Sequence, residues 1–99
     1  MNREPGRILD EYLVVCAQAG EERAFAHLFS IWQPRLLRHA MRLLHRPSSA
    51  QDAAQEAWLA IARGLKKLDD PARFPAWAFR ITTHKCADAV RKAARERRT

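Results

Sequence analysis

Two groups of side chains carry chemistry that a packed core does not account for. The first is Asp52, Gln55, Glu56, Leu59 and Arg63, which share one side of a helix with 3.6 residues per turn. An apolar residue ringed by acids, an amide and a guanidinium has the make-up of a protein-binding patch, with an apolar centre and a polar rim. A single exposed leucine on a solvated face fits the same pattern. The second group is Arg80, His84, Arg91, Arg95 and Arg98, a narrow cationic stripe, with Lys85 and Lys92 on its flank. Trp77 and Ile81 lie at its N-terminal end. Cations beside an aromatic ring suit phosphates and unstacked bases, because arginine grips backbone oxygens and a ring can stack. The alternative is a solvated basic face with Trp77 turned into the core, where large aromatics usually serve.

Charge along the chain favours a polyanionic partner. The formal charge is +7, and from Arg80 onward seven Lys/Arg face two acids, a net of +5. A basic end on a nearly neutral body fits nucleic acid better than a membrane surface, although a solubilising tail has the same composition. Ninety-nine residues make one small domain, and 47% apolar content allows a packed core. Cys16 and Cys86 stand far apart and outside any paired motif, which suits a reducing cytoplasm. The opening residues lack the apolar core of a signal peptide, and no apolar run approaches the about 18 residues that span a bilayer. A cytoplasmic protein without membrane contact is expected.

The elements that position these groups are all helices. Residues 8–19 place Leu9, Tyr12, Leu13 and Cys16 on one side and stop at Gly20, a helix-ending residue. Residues 21–45 carry the longest apolar stripe: Phe25, Leu28, Phe29, Trp32, Leu36, Ala40 and Leu43. Pro34 removes one backbone donor inside it, so a kink is expected near Ser30 and Ile31. Ser49 is a candidate cap for a third helix over 49–68, with Asp52 in its first turn and Ala54, Ala57, Trp58, Ile61, Leu65 and Leu68 as its buried arc. Asp69-Asp70-Pro71 breaks that pattern, and Pro75 suits the first turn of a fourth helix over 75–96. Its buried side is Ala78, Thr82, Cys86, Ala89, Val90 and Ala93. The expected fold is an all-α bundle of about four helices, a single domain over 8–99 behind a flexible tail at 1–7.

Three segments then combine into a family resemblance. Ala50-Gln51-Asp52-Ala53-Ala54-Gln55-Glu56-Ala57-Trp58-Leu59 resembles the D-A-E-D-x-x-Q-E-x-F-L helix of region 2 of sigma-70 family sigma factors. Asp70-Pro71-Ala72-Arg73-Phe74-Pro75-Ala76-Trp77-Ala78-Phe79-Arg80-Ile81 is similar to the D-P-x-x-F-x-A-W-L-x-R-I of extracytoplasmic-function sigma factors. Asp88 and Arg91 match the D-x-x-R that follows, and upstream Ala24-Phe25, Leu28-Phe29, Pro34 and Leu36 fit the family's opening helix. The resemblance implies that Asp52, Gln55, Glu56, Leu59 and Arg63 dock on the clamp helices of the largest catalytic subunit of core RNA polymerase. It implies that the connection from Leu68 to Trp77, with Asp70, Arg73, Phe74 and Trp77, holds flipped bases of the non-template strand at the promoter minus-ten element. Arg80, His84, Lys85, Arg91, Lys92, Arg95 and Arg98 would track the DNA nearby, and an anti-sigma factor is an expected further partner.

The chain departs from the pattern at His84 and Lys85, where the family usually has Asn and an apolar residue. Nothing resembles region 4, the helix-turn-helix that reads the minus-thirty-five element, and the chain ends where the linker to it is expected to begin. Metal and enzyme chemistry find no support. His84 and Cys86 are two residues apart, which turns them to different sides of a helix. His27, His39 and His45 make no pair at helical spacing. There is no Gly-rich phosphate loop. No cofactor is expected. A helical protein-interaction module with a solubilising basic end, or a generic nucleic-acid binder, are the rival classes. The acidic, Gln-rich face of the third helix separates them, since a pure DNA binder has no use for it. A second cationic row, Arg35, Arg38, Arg42 and Arg46, either touches DNA or faces water, the ordinary fate of a charged stripe.

Overall fold

Helix boundaries follow from glycine and proline chemistry. The computed structural model describes residues 5–98. Helix α1 (Pro5–Gln18) begins on a proline, which suits a first helical position because its missing N–H has no intrahelical acceptor there. Of the flexible tail expected over 1–7, residues 5–7 form this first turn, and residues 1–4 lie outside the described residues. Gly20, at φ 98°, closes the helix: its N–H donates to Ala17 O at 3.0 Å and the Glu21 N–H to Cys16 O at 3.1 Å. Those two bonds satisfy carbonyls that the helix end leaves open, in a geometry a side chain disfavours.

Helix α2 (Glu22–Leu44) runs unbroken across Pro34 and ends with His45 in the left-handed region. The stop has a cause two residues on, because Pro47 holds Arg46 extended (φ −117°, ψ 117°). Helix α3 (Pro47–Gly64) therefore starts on Pro47, two residues before the expected Ser49 cap; Ser49 makes no capping bond and Asp52 lies beyond the first turn. It stops at Gly64, and residues 65–67, expected inside it, form a separate 3₁₀ turn. A second 3₁₀ turn, Pro71–Arg73, leads into α4 (Phe74–Arg98). No strand occurs among the described residues.

Small residues let the helices approach. Ala50, Ala53, Ala54 and Ala57 line the buried side of α3, so α2 and α4 pack close to its backbone. Larger side chains fill the other end of the bundle. Trp58 takes Phe25 edge-on at 6.0 Å and Phe29 at 4.7 Å, while Trp32 meets Phe74 at 5.7 Å and Phe79 at 5.8 Å. Of the side expected on α1, Leu13 is buried and Cys16 half-buried, but Leu9 and Tyr12 are exposed, and Val14 and Asp10 are buried in their place. Phe29, Leu43 and Val90 are also exposed, because four helices cover only part of each apolar stripe. No helix among the described residues is long and apolar enough to cross a membrane. Both cysteines are free, and burial pushes the Cys86 thiol up.

His39 ties α2 to α4. Its Nε2 shares a hydrogen bond with Thr83 Oγ1 at 2.8 Å, and its ring meets Phe79 edge-on at 5.1 Å. Burial first, and the Arg42 guanidinium second, hold its pKa below the ordinary imidazole value. The unfolded chain then binds this proton more readily than the folded one, so stability rises with pH in that window. His39 costs nothing well above its unfolded pKa of roughly 6.5 and destabilises as pH falls through it. Urea midpoints from pH 7.5 down to 5.5 should fall more steeply in the wild type than in His39→Gln. Parallel slopes would show that His39 does not titrate against folding.

Candidate nucleic-acid interface

The connection between α3 and α4 is built by three local devices. The Asp70 carboxylate accepts from the Ala72 N–H at 3.0 Å and the Arg73 N–H donates to Asp70 O at 2.9 Å, which winds the second 3₁₀ turn. Gln18 of α1 donates through Nε2 to Leu65 O at 2.9 Å and Leu68 O at 2.8 Å, pinning the first turn to the bundle. Gly64 supplies the third, because a Cβ there would lie 3.1 Å from the six-membered ring of Trp77. A bare backbone is what lets that ring lie against the end of α3.

These devices open a cleft of about 960 Å³, lined by Gly64, Lys67, Leu68, Asp69, Asp70, Arg73, Ala76, Trp77 and Arg80. Its walls combine three cations, two carboxylates and one half-buried indole. Of the residues expected at DNA, Asp70, Arg73, Trp77 and Arg80 come together here. Phe74 does not: it is fully buried, packed between Trp32 and Trp77, and the expectation that it touches DNA is corrected. The 3₁₀ turn before it packs against α1, and the first residue of α4 turns inward behind it. Phe74 acts instead as a support, its ring 6.1 Å from that of Trp77. Sequence reasoning missed Gln18, Gly64 and Lys67 as parts of this site. Gln18 matters through Leu65 and Leu68, far away in the chain, and Gly64 through Trp77, while Lys67 precedes the motif by three residues.

The remaining cations spread along α4. His84 is exposed and Lys85 half-buried, and neither lines the cleft. Arg91, Lys92, Arg95 and Arg98 are exposed on the C-terminal half, beyond Cys86, the last buried residue of the helix. From Arg80 to Arg98 the stripe runs about 27 Å at 1.5 Å per residue, so it is a track rather than a pocket. Arg91 pairs with Asp88 one turn back, both well exposed, an arrangement that contributes little to stability. On α3, Asp52, Gln55, Glu56 and Arg63 are exposed around Leu59, which keeps 49% of its surface in solvent.

The described residues thus form an all-helical bundle with an exposed leucine in a polar ring on one helix and a cationic, indole-walled cleft before the next. The chain belongs to the sigma-70 region 2 family, whose model matches residues 28–96. It is 36% identical over 72 residues to the RNA polymerase sigma-H factor of Pseudomonas aeruginosa, covering 73% of this chain and 37% of that protein. It is 30% identical over 73 residues to the ECF RNA polymerase sigma factor SigW of Bacillus subtilis, covering 74% and 39%. With the ECF RNA polymerase sigma factor SigM of Mycobacterium tuberculosis the identity is 32% over 84 residues, covering 85% and 43%. The chain thus spans about two fifths of the length of these relatives.

Proposed function

We propose that this chain is the module of an extracytoplasmic-function sigma factor that docks on core RNA polymerase and captures the promoter minus-ten element. The observation that carries this reading is the α3–α4 cleft, where the residues of one family motif gather around an indole face and three cations. Unstacking a base costs on the order of a few kcal/mol per step. A ring such as Trp77 returns about 1–3 kcal/mol per base by stacking, and Arg73 and Arg80 can hold the adjoining phosphates. Asp70 spends one acceptor on the Ala72 N–H, and its remaining lone pairs can accept from an exocyclic amine of a flipped base. No covalent chemistry is needed, because holding bases unpaired is what favours the open strand.

The outer face of α3, with Asp52, Gln55, Glu56, Leu59 and Arg63, is the proposed contact to the clamp helices of the largest polymerase subunit. An anti-sigma factor is the proposed controlling partner, and the cytoplasm the proposed compartment. The test is a titration of single-stranded oligonucleotides that differ only at the minus-ten positions. Asp70→Asn, which keeps an acceptor for Ala72, and Arg73→Ala should change preference among sequences more than overall affinity. Arg91→Ala should weaken all sequences alike and flatten the log–log salt slope by about 0.7. Equal affinity of the wild type for every oligonucleotide would remove the base-reading role from the cleft.

A further inference from the structure

Arg35, Arg38 and Arg42 on α2, with Arg46 just past its end, have no part in the cleft or in the outer face of α3. Between Glu22 and Asp52 the sequence holds five arginines, no lysine and no carboxylate. A merely solvated helix face usually mixes signs, and lysine serves it as well as arginine. All four guanidinium-bearing residues of the row are exposed. Arg35 lies over the Trp32 ring at 4.7 Å, which fixes the start of the row against the core.

The tertiary structure places this row beside the DNA-facing helix. His39 and Thr83 are joined at 2.8 Å across the α2–α4 seam. Arg35 and Arg42 lie one turn to either side of His39, and Arg80 one turn before Thr83, so cations from both helices rim one seam. The two sides differ in one respect. The cleft beside Arg80 offers the Trp77 ring to an unpaired base, whereas no Phe, Tyr or Trp stands exposed along residues 35–46, and Trp32 is buried beneath Arg35. Guanidinium groups without a stacking partner suit a backbone whose bases are already paired.

We infer that the arginine row of α2 is a second nucleic-acid surface, which holds the phosphate backbone of duplex DNA adjoining the unpaired segment, independently of sequence. This rests on the promoter-binding role proposed above, and it assigns the duplex to α2 and the single strand to the cleft and α4. Its helical part, Arg35 to Arg42, is about 10 Å long at 1.5 Å per residue, and each phosphate the row neutralises contributes about −0.9 to the duplex salt slope.

The test measures binding of the chain to a mixed-sequence duplex and to a single strand carrying the minus-ten element, each across a salt series. Arg38→Ala/Arg42→Ala should flatten the duplex slope by about 1.8 and leave single-strand binding unchanged, while Arg38→Lys/Arg42→Lys restores most of the slope. Helical circular dichroism of each variant checks that folding is intact. An unaltered duplex affinity and slope in the Ala variant would overturn the inference, as would loss of core polymerase capture with duplex binding retained, which would make the row a protein contact. If the wild type shows no preference among single strands yet the Ala variant still flattens the duplex slope, the α2 surface stands and the base-reading role falls.

Discussion

Replacing Trp32 with Ala is expected to remove about 3–5 kcal/mol of folding stability, the range for deleting a large buried aromatic. The ring is 4% exposed and sits where α2 meets both ends of the α4 entry, edge-on to Phe74 and to Phe79 and beneath Arg35. Removing it leaves a cavity between α2 and α4, lined by Phe74 and Phe79. A domain of this size has roughly 5–15 kcal/mol in total, so the variant should melt well below the wild type or fail to fold at 37 °C. Trp32→Phe is the informative partner. The Trp32 Nε1 is buried without a hydrogen-bond acceptor among the described residues, and a phenyl ring removes that unpaired donor while keeping most of the contact. Its cost should be clearly smaller than that of Ala. Equal losses in chemical denaturation would show that the indole nitrogen or the second ring carries the stability. Because Phe74 supports Trp77, the Ala variant should also blunt selection among single-stranded oligonucleotides at temperatures where it is still folded.

The second large effect is expected at the outer face of α3. Glu56→Lys places a cation in a ring whose other members are Asp52, Gln55 and Arg63, around a half-exposed Leu59. If this face meets the polymerase clamp, the change both removes one charge partner and presents a like charge to the other. Interfacial charge changes of this kind cost about 2–5 kcal/mol, a loss of thirtyfold or more in affinity. Leu59→Ala removes the apolar centre and should cost about 1–2 kcal/mol through lost burial alone. Neither position touches the buried side of α3, so helical content and melting temperature should stay near wild type. Capture of purified core RNA polymerase by the immobilised chain measures both. Retention of full binding in the two variants together would place the docking face elsewhere on the bundle.

The two surfaces differ in what their readout depends on. Binding through the α3 face combines a leucine with short-range charges and should survive moderate salt. The track along α4 depends on counterion release and should weaken steeply as salt rises. A single salt series with polymerase and with DNA therefore separates the two partners without any substitution.

Much of this was legible in the chain alone. Helical periodicity identified all four helices, because a stripe with period 3.6 is written directly in the order of apolar residues. The same arithmetic placed Asp52, Gln55, Glu56, Leu59 and Arg63 on an outward face, since a residue opposite a buried arc must point away from it. Charge placement marked α4 as the basic element. Boundaries were less legible where two local signals competed: Ser49 looked like a cap, but Pro47 restricts Arg46 and takes the first helical position itself. Only the tertiary structure decided which side of α1 is buried, so Tyr12 faces solvent and Leu13 and Val14 do not. It also decided the cleft. Phe74 lies inside the motif that lines it yet points into the core, while Gln18, Gly64 and Lys67 belong to the site from outside the motif. Sequence spacing orders residues within one helix; it carries no information about how the turns between α3 and α4 fold Gly64 onto Trp77, or about the Gln18 side chain that pins them from some fifty positions away.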